Sequence, residues 1–102
     1  MIHVIASIEL QPGQRDDFLK AFHALVPKVQ AEAGCIAYGP TIDLETSIPA
    51  QGPPRDNIVT VVEQWESPEA LADHLMAEHM LEYRKQVKEM VVGMTLQVLE
   101  PA

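Results

Sequence analysis

Residues 58–80, IVTVVEQWESPEALADHLMAEHM, set Glu63 and Trp65 shortly before His74 and His79. An imidazole titrates near neutral pH and can take a phenolic proton. A carboxylate on an otherwise apolar strand must be paired or protonated, and either state can serve proton transfer. An indole supplies a flat apolar wall. Together these side chains suit a pocket for a small aromatic acid or phenol. A two-histidine metal site would use a spacing of four, as in H-E-x-x-H. His74 and His79 stand five apart, so they do not share one helical face squarely. Glu78 and Glu82 lie beside them, but the reading is of no metal site. His3 and His23 read as surface or interface residues.

The elements that must carry these side chains follow from periodicity. Residues 2–10 alternate as a strand, with Ile2, Val4, Ala6, Ile8 and Leu10 on one face. Pro12-Gly13 ends it. Asp16 and Asp17 suit a helix N-terminus, and Phe18, Phe22, Leu25, Val26 and Val29 form an apolar stripe. Pro27 predicts a kink or break near residues 24–26, and Gly34 a helix stop. Residues 35–45 read as a second strand, bulged or bent at Gly39-Pro40. Residues 46–56 hold Pro49, Gly52, Pro53 and Pro54 and read as a loop. Residues 58–65 form a third strand that is largely apolar on both parities, so both its faces should be covered. Ser67 is an N-cap with Pro68 at the first helical position. The helix it opens carries Leu71, His74, Leu75, Met80, Tyr83, Val87, Met90 and Val91, with a break expected near Ala77-Glu78. Gly93 separates it from a last strand over 94–99.

The order is β-α-β-β-α-β, the ferredoxin-like arrangement: an α+β fold whose antiparallel four-stranded sheet carries both helices on one face. The other face is too apolar for water, so a homodimer that pairs two sheets face to face is expected. The chain's 102 residues suffice for one core, read as a single domain over 1–102.

Composition excludes several classes. The net charge is −8, from fifteen acids against seven Lys plus Arg, so nucleic-acid binding is disfavoured by repulsion from phosphates. No apolar run is long enough for a membrane span, and the N-terminus reads as a strand and not a signal peptide. The single cysteine, Cys35, cannot close an internal disulfide, which fits a reducing, cytoplasmic setting. It reads as a small buried hydrophobe, with no basic neighbour to lower its pKa.

The chain resembles the antibiotic biosynthesis monooxygenase family of dimeric ferredoxin-like proteins, particularly its bacterial quinol monooxygenase branch. The residues that carry this are Val4-Ile5-Ala6, Pro12-Gly13-Gln14, Ala33-Gly34-Cys35 with Tyr38, Glu63-Gln64-Trp65-Glu66-Ser67, Leu71, His74-Leu75, His79-Met80 and Leu99-Glu100-Pro101. The resemblance implies oxygenation of a quinol or related small polyphenol by molecular oxygen, without flavin, metal or nicotinamide. No G-x-G-x-x-G or phosphate loop is present. It implies His74 as proton acceptor, His79 as a second candidate, and Glu63 orienting an imidazole or substrate hydroxyl. Trp65, Tyr38 and Met80 would line the ring site, with hydrogen bonds from Tyr38 or Tyr83. Asn57 and Arg55 would gate the pocket. Each of these has a plainer reading: Trp65 as a core anchor, Glu63 in a salt bridge across the dimer, the tyrosines and methionines as packing. Haem-degrading relatives use Asn, Trp and His where this chain has Ser7, His74 and Arg84, so that activity is disfavoured. The rival function is a non-catalytic dimeric binding protein for a small aromatic metabolite, favoured if both histidines face solvent. A cofactor-free isomerase or cyclase would instead be active without oxygen.

Overall fold

The computed structural model describes residues 1–102. β1 (Ile2–Leu10) is the central strand, paired antiparallel with β3 (Ile58–Trp65) on one side and β4 (Val91–Leu99) on the other. β2 (Cys35–Thr41) pairs antiparallel with β3, giving the order β2-β3-β1-β4. This is the expected ferredoxin-like topology. The alternation of β1 holds: Ile2, Val4, Ala6, Ile8 and Leu10 are all buried. They meet Val59, Val61, Glu63 and Trp65 of β3 under the helical layer.

That layer contains α1 (Arg15–Gln30), α2 (Pro68–Leu75) and α3 (Glu78–Val87). α1 buries Phe18, Phe22, Leu25 and Val29 as one stripe, each contributing about 1.5–3 kcal/mol of transfer free energy. The expected break at Pro27 does not occur, because α1 runs unbroken through it. Pro27 stands in the last turn, so the ring removes one backbone donor near an end that already frays. Its own carbonyl still accepts from Ala31 N at 3.2 Å. Gly34 closes the turn that follows, with φ +84°. A Cβ there would lie 2.6 Å from Ala70 Cβ, so the close approach of this turn to α2 needs glycine.

Other boundaries shift from the expectation. β2 stops at Thr41 and not at residue 45; beyond it, Asp43 turns its carboxylate to Arg55, whose backbone N, Nε and Nη2 donate at 2.9, 2.8 and 3.0 Å. The β2 bulge lies between Cys35 and Ala37, whereas Gly39 and Pro40 keep regular register with Val62 and Val61. The second helix is two helices: Met76 caps α2, and Ala77 is extended (φ −62°, ψ 143°) before α3, as the break near Ala77-Glu78 anticipated. α3 ends at Val87, short of Met90, and β4 begins at Val91. Gly93 therefore lies inside β4, beside the register shift that pairs Glu9 with Gly93 but Leu10 with Val91.

The three helices do not roof the whole sheet. Met94, Leu96 and Val98 of β4, on the helix-facing side, remain exposed. On the opposite face of the sheet no element of this chain covers β3, and Val62 there is 42% exposed.

Candidate functional site

The uncovered stretch of β4 opens onto a cavity of about 360 Å³ between the sheet and α1, α2 and α3. Small-molecule sites run from about 300 to 1,000 Å³. Twelve of its sixteen lining residues are apolar or aromatic, and the other four are Glu63, His74, Arg84 and Lys88.

Ser67 starts the segment that aims His74. Its Oγ accepts from Ala70 N at 3.2 Å, and Pro68 sets the first helical residue. α2 then turns Leu71 and His74 inward. The His74 side chain is 2% exposed. Its ring is tilted against Trp65 at 4.6 Å between centroids and meets Tyr38 edge-on at 5.4 Å.

One residue that sequence reasoning missed organises this cluster. A single oxygen of Glu32, Oε2, lies 2.9 Å from His74 Nδ1 and 2.7 Å from His79 Nε2. A carboxylate only accepts, so both facing nitrogens carry protons. His74 then presents an unprotonated Nε2. No buried side-chain nitrogen or oxygen lacks a partner, and Nε2, which has no partner in the chain, opens to the cavity that His74 lines. Glu32 is placed by the turn after α1: its N donates to Val29 O, Cys35 N donates to its carbonyl, and Glu66 N donates to Gly34 O at 2.8 Å. The sequence signal was its place one residue before the Ala33-Gly34-Cys35 block.

Burial lowers the His74 pKa; the Glu32 hydrogen bond and charge oppose this, while His79 and Arg84 add to it. The neutral, proton-accepting form is therefore favoured. Glu63, 5% exposed, lines the cavity beside its register partner Tyr38. Burial raises its pKa, the hydrogen bond from Trp65 Nε1 at 2.9 Å lowers it, and the Glu32 charge raises it. Burial likewise raises the Tyr38 and Tyr83 hydroxyls well above the usual tyrosine range, so both remain hydrogen-bond donors.

The site residues expected from sequence separate into two groups. Glu63, His74, Tyr38, Met80 and Tyr83 all line the cavity. Trp65 does not: it is fully buried behind the site, holding Glu63 and backing His74. Asn57 and Arg55 do not reach the cavity either. The Asn57 carbonyl accepts from Leu10 N, and Arg55 is held by Asp43. Both are consumed by the loop closure that precedes β3. His79 stands behind Glu32 and faces a separate hollow with Lys28, Glu78 and Glu82. Cys35 is half-buried and its thiol pKa is raised by burial, with Glu32 and Glu63 adding, so a thiolate is disfavoured. No group of three or more His, Cys, Asp or Glu is arranged to hold a metal ion.

The sequence profile of the antibiotic biosynthesis monooxygenases matches residues 1–86. The chain belongs to that family. It is 40% identical to the probable quinol monooxygenase YgiN of Escherichia coli K12, over 99% of this chain and 98% of that one. Among solved structures, PA3566 from Pseudomonas aeruginosa superposes with a TM-score of 0.80 at 26% identity, covering 99% of this chain and 93% of that one. Rv0793 from Mycobacterium tuberculosis does so with a TM-score of 0.80 at 25% identity, covering 99% and 94%. No helix of this family member is long and apolar enough to cross a membrane.

Proposed function

We propose that this protein is a cofactor-independent monooxygenase that oxidises a quinol or related small polyphenol with molecular oxygen. The observation that carries the reading is a buried His74 with Nδ1 tied to Glu32 and its ring lining an apolar cavity. The relationship to a probable quinol monooxygenase supports the substrate class.

His74 Nε2 takes the proton of the quinol hydroxyl, and Glu32 stabilises the imidazolium that forms. The resulting phenolate is electron-rich enough to pass one electron to oxygen and recombine with the superoxide at a ring carbon. Collapse of the hydroperoxide gives a hydroxyquinone and water. Quinol plus oxygen equals hydroxyquinone plus water, and the quinol supplies all four electrons. Glu63 and Tyr38 stand where they can hydrogen-bond the ring oxygens, and the apolar walls keep bulk water from the adduct.

Two histidines turned to solvent would favour the binding-protein reading, and His74 is buried. The test is oxygen uptake by metal-stripped protein with reduced naphthoquinones, against the autoxidation rate without protein. Saturable uptake is expected, falling about 10²-fold or more in His74→Ala. No uptake above background with any quinol, or full activity in His74→Ala, overturns the reading. Turnover of the same compounds under nitrogen would point to isomerase or cyclase chemistry instead.

The reading includes a homodimer joined through the open sheet face, where Ile5, Ile58, Val62 and Leu99 are large apolar residues. A monomeric mass by light scattering at micromolar concentration overturns that part. A cytoplasmic setting accords with the unpaired Cys35.

A further inference from the structure

Apart from its tyrosines, the cavity has four ionisable residues, which fall into two pairs with different work. Glu63 and His74 come from β3 and α2 and perform the proton chemistry proposed above. Arg84 and Lys88 come from the C-terminal end of α3 and have no part in it. They stand four residues apart, one helical turn and about 6 Å along the axis, on the same side of the helix.

Both lack an ion pair, as do Arg15, Lys28 and Lys85. Acids outnumber Lys plus Arg fifteen to seven, so carboxylate partners are abundant. Arg55 is paired with Asp43, and Lys20 reaches Asp17. Neither Arg84 nor Lys88 has a carboxylate within ion-pair distance. One guanidinium nitrogen of Arg84 donates to Leu75 O at 2.8 Å. That bond anchors the group at the α2–α3 break and leaves its other donors free. Two unpaired cations at the rim of an apolar cavity concentrate positive potential at its mouth, because low-dielectric walls focus the field. A neutral quinol offers them hydrogen-bond acceptors but no counter-charge.

We infer that the cavity takes a hydroxylated aromatic carboxylate, with the phenolic oxygen at His74 and the carboxylate held at the mouth by Arg84 and Lys88 as specificity-determining residues. The orientation follows from charge: the Glu63 end repels a carboxylate, and the α3 end attracts one. The inference deepens the monooxygenase reading and rests on the same cavity.

Equilibrium dialysis under nitrogen at about pH 8, where a free imidazole is neutral, tests it with hydroxynaphthoate and naphthol, which differ by one carboxylate. Hydroxynaphthoate should bind about tenfold more tightly at low salt, and the advantage should shrink as salt screens the rim. In Lys88→Gln it should fall severalfold, and in Arg84→Gln/Lys88→Gln to about twofold or less, with naphthol affinity unchanged. The Lys88 side chain makes no hydrogen bond or ion pair in the structure, so its single variant separates the charge effect from any loss of fold. Equal binding of the two compounds, a preference that survives in the double variant, or no binding of either overturns the inference. Because oxygen is absent, a retained charge preference without later oxygen uptake sinks the monooxygenase reading alone. Uptake without charge preference sinks this one alone.

Discussion

Glu32→Gln removes one charge and keeps the shape. Protonated His74 would be a cation whose side chain is 2% exposed, and its nearest counter-charge is Glu32 Oε2 at 2.9 Å. A hydrogen bond to a charged group contributes about 1.5–3 kcal/mol, against about 0.5–1.5 kcal/mol between neutral groups. The substitution should therefore raise the barrier to imidazolium formation by about 1–1.5 kcal/mol, a loss of roughly tenfold in kcat. KM should change little, since Glu32 does not line the cavity. The pH dependence gives a second, independent sign. Glu32 raises the His74 pKa against the larger effect of burial, so its neutralisation moves the acid limb of the rate profile to lower pH. The variant should be furthest below the parent on the alkaline plateau, and the gap should narrow toward acid. The other groups around the ring are His79 and Arg84 on α3, Tyr38 on β2 and Glu63 on β3, and all are retained. The assay is initial oxygen uptake with a reduced naphthoquinone across pH, with circular dichroism to check the fold. Equal rates at every pH would refute the role, as would a uniform loss that tracks a lower melting temperature.

Glu63→Gln should stabilise the fold while impairing turnover. The Glu63 pKa is raised above its ordinary value, so the folded state binds protons more readily than the unfolded one, and stability declines as pH rises from the ordinary glutamate range through the folded pKa. Glutamine keeps an acceptor for Trp65 Nε1 and removes that decline. Its melting temperature should exceed the parent's by about 2–5 °C at neutral pH and match it in acid, where the carboxyl is protonated in both states; a lower melting temperature at neutral pH would show that the charge is compensated. Gly34→Ala should cost about 2 kcal/mol or more, from the φ of +84° and the 2.6 Å approach to Ala70 Cβ, and a urea midpoint within error of the parent's would contradict this.

The central strand was legible in the sequence because it reported its own burial: alternation in β1 encodes which face meets the helices, and that information is local. So was the start of α2, where Ser67 and Pro68 act within one turn. Apolar residues in β2 and β4 did not report theirs, since Ile36, Met94, Leu96 and Val98 are exposed. The boundaries that shifted were decided by distant partners: β2 ends early because Asp43 is taken by Arg55, and Gly93 enters β4 as the partner of Glu9, with Val92 left over at the register shift. Trp65 was legible as an aromatic of the site but not in its depth. Its parity put it on the face of Glu63, while the stacking of His74 over it is a tertiary fact.

Glu32 shows most clearly where a linear reading stops. In sequence it stands between two alanines in a segment that looks solvated. His74 and His79, five apart, argue against a shared partner if the helix is continuous. The break at Met76 and Ala77 removes that objection: the extended Ala77 re-aims α3, so two imidazoles from different helices reach one carboxylate oxygen at 2.9 and 2.7 Å. The turn ending at Gly34 must also press against Ala70 to bring Glu32 beneath α2. Three separate features (a helix break, a left-handed glycine and a lone acid) acquire chemical meaning only together. If the Glu32 bridge serves to set the His74 tautomer, Glu32→Ala should abolish activity while leaving the cavity's aromatic walls, and hence naphthol binding, in place. Retained activity would mean that His74 holds its orientation through Trp65 and Tyr38 alone.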